Sequence, residues 1–235
     1  MCTSMGVTLL LPSCGINYLW QLGALKSLLE QNVKIDRVLG SSGGAWSGIF
    51  LGLGAEILDD WISRAPKYYA LWQKKNRFRY WRRMTRALHD DSHRVLEEYG
   101  FFEKFRPSFE FGIKVVELFP TLKSRIIRVD GRAPENIHRL AVASSTIPFL
   151  TGFIAVEESR VFLDGGFSGG FGKVAGDTIA LDPYGKLHAT FRIVPSKSLP
   201  LGLRLGSPFL IPVEEFEALI MQGYHAAKSA MIVRR

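Results

Sequence analysis

The sequence predicts an α/β fold: a three-layer α/β/α domain around a mostly parallel central sheet. Two observations support this. Short apolar runs of strand length alternate with longer stretches in which apolar residues recur every three or four positions, as in an amphipathic helix. The first sixty residues follow the order strand, helix, strand, tight turn, helix. Such alternation is typical of parallel sheets whose faces are covered by helices.

The amino-terminal elements can be placed from their apolar patterns. A buried strand is predicted at residues 6–11 and an amphipathic helix at 17–31, where leucines recur at helical spacing. A second strand is predicted at 34–39, and the turn GSSGG, residues 40–44, follows it at once. Residues 45–58 then favour a helix.

The middle and the end of the chain are less regular. We predict a single domain over residues 1–235, with a helical, basic insertion at about 59–120. Beyond it, a strand is expected at 124–130, a helix from Pro134, and a short strand at 160–163.

A glycine-rich loop follows at 165–176, with six glycines in twelve residues. Strands at 178–181 and 187–194 are predicted to form a hairpin, because the residues between them favour a turn. A closing helix is expected at 213–232.

The composition fits a folded globular protein. The 235 residues suffice for a substantial core, and a hydrophobic fraction of 47% argues against disorder. The two cysteines, Cys2 and Cys14, are too few for a disulfide framework. We see no signal peptide and no apolar run long enough to span a bilayer, so we expect a cytoplasmic protein with peripheral membrane contact. No cluster has the spacing of metal ligands, and no cofactor is expected.

The net charge of +8 is concentrated in one segment. Between Trp61 and His89 there are nine basic residues and no acidic one, and Tyr, Trp and Phe interleave with the cations. The segment fits a solvated helical face, a membrane-surface element or a nucleic-acid contact. We do not expect nucleic acid, because the rest of the chain is nearly neutral. The candidates for contact with an anionic membrane are Lys74, Lys75, Arg77, Arg79, Arg82 and Arg83.

The GSSGG turn places Ser42 at the centre of a Gly-x-Ser-x-Gly motif whose glycines are Gly40 and Gly44. A serine hydroxyl becomes a good nucleophile only with a base beside it and donors for the oxyanion it creates. The strand before the motif and the helix after it fit a nucleophile elbow, in which the glycines avoid steric clashes. An ordinary turn with a helix-capping serine fits the same pattern.

Two kinds of base could serve Ser42. His188 and His225 are the histidines late enough in the chain for the order Ser…Asp…His. Asp164 is the better candidate, because it ends a predicted strand and precedes the small residues Gly165 and Gly166. A partly desolvated aspartate can act directly as a general base, although Asp-Gly is also a common turn.

Three segments stand in one order: PSCGINYLWQLGALKSLLE, VLGSSGGAWSG and FLDGGF. In this order they resemble the patatin-like phospholipase family. The resemblance implies a Ser42–Asp164 dyad without histidine, which hydrolyses lipid esters through an acyl-enzyme. It implies a phospholipid as the first choice of substrate and a neutral acylglycerol as the second. The implied oxyanion hole consists of backbone N–H groups of Cys14, Gly15, Ile16 and Gly43.

The first of these segments departs from the family. Ser13 and Cys14 stand where the family has glycines, and Asn17 stands where it has arginine. We therefore expect a reshaped oxyanion loop, to which the Asn17 side chain could contribute a donor. The alternatives that stay open are a Ser-His-Asp esterase, an acyltransferase that excludes water, and a lipid-binding module with a vestigial site.

Overall fold

A computed structural model describes residues 6–76, 80–131, 133–147, 155–157, 160–196 and 211–232. Its sheet comprises strands β1 (Val7–Leu11), β2 (Ile35–Gly40), β3 (Glu110–Phe119), β4 (Lys123–Arg128), β5 (Ala155–Glu157), β6 (Arg160–Asp164), β7 (Thr178–Leu181) and β8 (Phe191–Ile193). The helices are α1 (Tyr18–Glu30), α2 (Gly43–Leu53), α3 (Ala55–Asn76), α4 (Tyr80–Glu98), α5 (Phe101–Lys104), α6 (Pro134–Ser144) and α7 (Glu215–Ile232). Short 3₁₀ helices cover Gly15–Asn17 and Gly165–Ser168.

The sheet is mostly parallel. β1 pairs in parallel with β2 and β7, and the parallel pairing continues from β2 to β3 and from β7 to β8. Antiparallel pairing joins β4 and β6 to β3, and β5 to β6. Helices flank this sheet, and α1 packs along α7. The predicted α/β fold with a mostly parallel central sheet is confirmed.

Strand β3 arranges the carboxyl ends of two other strands. β4 pairs along residues 112–117 and occupies one edge of β3, so β2 and β6 must share the other edge. On that shared edge, Gly40 lies opposite Ile113, and Asp164 lies opposite Val115. Because β2 is parallel to β3 and β6 is antiparallel to it, the two strands end facing each other. The residues that follow β2 therefore meet the last residue of β6.

A buried apolar core holds these strand ends in place. Leu9 and Leu11 of β1 and most leucines of α1 are fully buried, and they pack with Trp20, Phe111 and Phe162 in one cluster. Close packing of this kind resists displacement of a single strand, so the core holds β2 and β6 in a fixed relative position.

The predicted hairpin of 178–181 and 187–194 is wrong, because β7 and β8 are parallel. The carboxylate of Asp182 accepts the N–H groups of Tyr184 and Leu187, which folds the chain into a loop after β7. The N–H of Thr190 then donates to Thr178 Oγ1 at 2.8 Å, which returns the chain to the beginning of β7. The next strand consequently runs in the same direction as β7.

The helical insertion is also shorter than predicted. Helices end at Lys104, and residues 110–119 of the expected 59–120 segment form β3. The helix expected at 45–58 is divided at Gly54 into α2 and α3. The assignment of the chain to a single domain stays a prediction.

The basic segment, residues 61–89, covers most of α3 and the first half of α4. Lys74 and Lys75 are exposed on the last turn of α3. Arg77 and Arg79 lie outside the described residues, and the helical course of α4 includes Arg82 and Arg83. None of the described helices is both long and apolar enough to cross a membrane.

Candidate active site

Ser42 lies in a strained turn between β2 and α2. Its backbone has φ 52° and ψ −124°, a conformation that residues other than glycine rarely adopt. The side chain is buried, and α2 begins at the next residue, Gly43. A strained serine between a parallel strand and a helix is the geometry of a nucleophile elbow.

The two motif glycines allow this turn to pack against the sheet. A Cβ atom at Gly44 would lie 1.9 Å from the carbonyl oxygen of Leu11, and one at Gly40 would lie 2.7 Å from Ala45 Cα. Both contacts involve backbone atoms, which cannot move aside as a flexible side chain can. Glycine is therefore required at both positions for α2 to begin so close to β1 and β2.

A serine of α6 anchors the elbow. The N–H of Ser42 donates to Ser144 Oγ at 2.8 Å, and the Ser144 hydroxyl donates to the carbonyl oxygen of Lys114 at 2.6 Å. This buried relay connects the elbow to α6 and to β3. Sequence reasoning missed Ser144, although it lies in the segment ASSTIPF that precedes β5 and β6.

Asp164, the last residue of β6, meets Ser42 at this junction. The Asp164 carboxyl lies near the Ser42 side chain, which lowers the pKa of that carboxyl. Its Oδ1 accepts the N–H of Gly166 at 2.7 Å and the hydroxyl of Ser13 at 3.1 Å. The structure thus brings together the two residues that were predicted to form the dyad, and it adds Ser13 as a third participant.

The environment makes Asp164 a stronger base than an exposed aspartate. The side chain is 3% exposed, and burial raises the pKa of its carboxyl group. The Ser42 side chain, the N–H of Gly166, the Ser13 hydroxyl and the positive charge of Lys114 oppose this rise. A carboxylate whose pKa is raised accepts a proton more readily, as a general base must.

Lys114 of β3 is a buried cation behind the site. It is 2% exposed, and its ammonium donates to the carbonyl oxygens of Gly169 and Gly170, the latter at 2.7 Å. Burial lowers the pKa of Lys114, and the negative charge of Asp164 opposes that effect. Lys114 therefore holds the loop that follows Asp164, and its positive charge lowers the pKa of the Asp164 carboxyl. Its position inside the apolar run IKVVEL was a signal that sequence reasoning missed.

The predicted oxyanion loop lies against the first turn of α2. Gly15 has φ 53°, and a Cβ atom at Gly43 would lie 2.5 Å from the carbonyl oxygen of Gly15. Cys14 and Ile16, the other predicted members, are buried beside Gly15. Because Gly43 is the first residue of α2, its N–H has no acceptor within the helix, and it lies at the positive end of the helix dipole.

The residues that depart from the family pattern support this loop. Asn17 is buried, and its amide nitrogen donates to the Tyr184 hydroxyl at 3.0 Å. That hydroxyl donates in turn to the carbonyl oxygen of Cys14 at 3.3 Å. The Ser13 hydroxyl contacts Ser41 Oγ at 2.8 Å as well as Asp164. The substitutions thus add side-chain hydrogen bonds that fix the course of the loop.

Two other side chains with nucleophilic atoms, Cys14 and Ser41, lie near Ser42. Burial raises the pKa of the Cys14 thiol, and the charges of Asp164 and Asp182 raise it further, so the thiol stays protonated. The Ser41 hydroxyl is engaged with Ser13.

The predicted histidine candidates lie elsewhere. His188 is exposed in the loop after β7 and His225 is exposed on α7, and within the described ranges neither hydrogen-bonds to Ser42 or Asp164. His138 of α6 is buried, and burial, reinforced by the neighbouring His89, lowers its pKa to about 3. No group of three or more metal-ligating side chains is arranged around a common point in the part of the chain that the structure describes.

Comparisons with known proteins agree with this geometry. The family model of patatin-like phospholipases matches residues 9–172, more than half of the chain, including both Ser42 and Asp164. No curated protein matches the chain in sequence.

Two solved structures share the fold. VipD from Legionella pneumophila superposes with a TM-score of 0.59 at 12% identity, covering 97% of this chain and 67% of VipD. The heterodimeric ExoU–SpcU complex from the type III secretion system of Pseudomonas aeruginosa gives a TM-score of 0.54 at 12% identity, covering 97% of this chain and 52% of the matched one. The chain thus spans about half to two thirds of these proteins, and the likeness concerns the fold.

Proposed function

Because the chain belongs to the patatin-like phospholipase family, we propose that it hydrolyses acyl esters of lipids through an acyl-enzyme. In this proposal Ser42 is the nucleophile and Asp164 is the base. The observation that supports it is the convergence of these two residues at the point where β2 and β6 end facing each other. The raised pKa of Asp164 supports its role as the base.

The first half of the reaction forms the acyl-enzyme. The Asp164 carboxylate takes the proton of Ser42 as its oxygen attacks the ester carbonyl. The N–H groups of Gly43 and of the loop Cys14–Ile16 stabilise the oxyanion of the tetrahedral intermediate. Protonated Asp164 then gives its proton to the leaving alcohol, and the acyl group stays on Ser42.

The second half restores the enzyme. Asp164 takes a proton from water, which attacks the acyl carbonyl and forms a second tetrahedral intermediate. Collapse of this intermediate releases the fatty acid, and the proton returns from Asp164 to the serine oxygen. If an alcohol replaced water in this step, the same residues would perform acyl transfer.

A phospholipid is the proposed substrate, with a neutral acylglycerol as the second choice. Lys74 and Lys75 are exposed, and Leu71 on the same helix is 69% exposed, a combination that suits contact with an anionic membrane surface. The proposed mechanism requires no metal and no organic cofactor.

One experiment tests the dyad. Hydrolysis of a soluble nitrophenyl ester and of phospholipid vesicles is measured for the wild type and for Ser42→Ala, Asp164→Asn, His188→Ala and His225→Ala. We expect Ser42→Ala and Asp164→Asn to lose activity by about 10²- to 10⁴-fold. The histidine variants are the matched controls and should keep the wild-type rate.

The same experiment separates the alternatives. A large loss in either histidine variant would favour a Ser-His-Asp esterase and contradict the dyad. A wild-type protein that binds vesicles but cleaves neither ester would be a lipid-binding module. Transfer of the acyl group to an added alcohol, with little free fatty acid, would identify an acyltransferase.

A further inference from the structure

Exposed apolar side chains gather at the hairpin that joins β3 to β4. Among the described residues, Leu122 is 78% exposed, Phe119 61%, Phe167 58% and Ile126 39%. These four make up half of the eight large apolar side chains that stand exposed in that part of the molecule. Clustered exposure of this kind marks an interaction surface rather than ordinary surface composition. We call the four residues the hairpin patch.

Pairing across the sheet places part of the patch on one face. The Ser168 hydroxyl donates to Ser124 Oγ at 2.8 Å, so the 3₁₀ helix that contains Phe167 lies over the face of β4 to which Ser124 belongs. Side chains two residues apart on a strand share a face, which puts Ile126 beside Ser124. Leu122 immediately precedes β4, at the end of the hairpin.

A β-bulge brings Phe119 to the same face. Val116 pairs with Ser124 on one side and with Leu163 on the other, and directly opposed residues of antiparallel strands share a face. The register then shifts, and Phe119 pairs with Val161. Because Val161 and Leu163 are two residues apart, Phe119 lies on the face of Ser124. Without the shift it would point to the opposite face, so the bulge re-aims this aromatic ring.

The patch begins at the wall of the active site. Phe167 belongs to the 3₁₀ helix Gly165–Ser168, which starts directly after Asp164. The second residue of this helix, Gly166, donates its N–H to the Asp164 carboxylate. An apolar surface in this place continues outward from the proposed base along the hairpin.

The charges around the patch are mainly positive. Residues 118–129 include three basic residues and no acidic one. Arg125 pairs with the buried Glu117 at 2.8 Å, and Arg128 pairs with Glu110 at 2.6 Å. Lys123 is exposed, and within the described ranges it forms no ion pair. Exposed apolar side chains with cations beside them match the chemistry of an anionic bilayer. The acyl region of the bilayer accepts the apolar side chains, and the anionic headgroups attract the cations.

We propose that the hairpin patch inserts into the surface of an anionic lipid bilayer and so places the mouth of the active site on its substrate. The inference rests on the proposed function, because a lipid ester hydrolase must work at such a surface. It assigns apolar insertion to the β3–β4 hairpin, separate from any electrostatic contact made by the basic segment.

The test measures binding in a variant that cannot turn over the lipid. Sedimentation with vesicles of phosphatidylcholine and phosphatidylglycerol is measured for Ser42→Ala alone and with Leu122→Asp or Phe167→Asp added. Met221→Asp is the matched control, because Met221 is 50% exposed on α7, away from the hairpin. We expect each patch variant to bind about tenfold more weakly or worse, since an exposed apolar side chain no longer gains burial. The control should bind like its parent, and thermal unfolding verifies that all variants are folded.

Each outcome decides the proposal. Three results would overturn it: vesicle binding of the patch variants equal to that of the parent, a loss of binding in the control as large as in the patch variants, or a folded parent that binds no vesicles. The last result would point to a protein partner for the patch. Equal binding of the parent to pure phosphatidylcholine vesicles would contradict the anionic preference. Because binding is measured with Ser42→Ala, a failure of the intact chain to hydrolyse any ester would refute the proposed function without affecting this test.

Discussion

Ser42 and Asp164 meet in one site, but the protein holds them by different means. Ser42 is positioned by the backbone: a strained φ of 52°, two glycines in close contact with neighbouring strands, and an N–H held by Ser144. Asp164 is positioned and tuned by side chains from other parts of the chain. Ser13, which donates a hydrogen bond to its carboxylate, lies 151 residues earlier, and the positive charge of Lys114 on β3 lowers its pKa.

The comparison distinguishes the contacts that fix the position of Ser42 from those that set the basicity of Asp164. A turn built on backbone contacts tolerates no added atom, so a substitution there should abolish the site. A carboxylate whose pKa is set by several partners should lose only part of its activity when one partner is removed, because each partner contributes only part of the pKa shift. The three substitutions below test this contrast, from the largest expected effect to the smallest.

Gly44→Ala should have the largest effect. The new Cβ would lie 1.9 Å from the carbonyl oxygen of Leu11, so either α2 or β1 must move. We expect a loss of about 3 kcal/mol in the free energy of unfolding, measured by urea denaturation, and no detectable ester hydrolysis.

Gly54→Ala is the matched control for that substitution. Gly54 has φ 104°, but no atom lies within 4 Å of a Cβ placed there. The cost should be confined to backbone strain, about 1–3 kcal/mol, with activity retained. If the two variants lost equal stability and activity, steric contact at the elbow would not be what positions Ser42.

The sequence allowed the elbow to be predicted because its signals are local. A strand, a Gly-x-Ser-x-Gly turn and a helix are adjacent in the chain, and each constrains the next. Asp164 could be found for the same reason, since it ends a strand and precedes two glycines. The order of these segments then sufficed to indicate the family and its fold.

What the sequence did not reveal depends on tertiary contacts. The sequence predicts a mainly helical segment where the structure has β3. Lys114 and Glu117 stand within the apolar run of this strand, and only the folded sheet shows that they contact Gly170 and Arg125. The turn residues after β7 indicated a change of direction but not that β8 would run parallel. The roles of Ser13 and Lys114 as partners of Asp164 likewise follow from positions that no local pattern encodes.

Lys114→Met should have an intermediate effect on the base. Its positive charge holds the pKa of Asp164 below the level that burial alone would set, so its removal raises that pKa further. Asp164 must be ionised to act as base, and activity rises as the pH passes upward through its pKa. The acid limb of the pH–kcat/KM profile should therefore move to higher pH, with activity at weakly acidic pH falling about tenfold as the loop at Gly169 also loses its donor.

Lys173→Met is the control, because Lys173 is an exposed lysine of the same glycine-rich loop. Its profile should match that of the wild type. A Lys114→Met profile that drops equally at every pH, with an unmoved acid limb, would mean that Lys114 acts through the loop alone and does not tune Asp164.

Ser13→Ala should have the smallest effect, because it removes one of several hydrogen bonds to Asp164. The N–H of Gly166 still donates to the same Oδ1 at 2.7 Å, so the carboxylate keeps its orientation. The lost donor raises the pKa of Asp164 in the same direction as Lys114→Met, and kcat/KM near neutral pH should fall about fivefold, the factor that corresponds to ~1 kcal/mol. Ser63→Ala, which removes an exposed hydroxyl bonded to the Asp60 carbonyl, should leave the profile unchanged. A loss as large as that of Asp164→Asn would show that Ser13 is indispensable to the base, and the stepwise tuning inferred for Asp164 would be wrong.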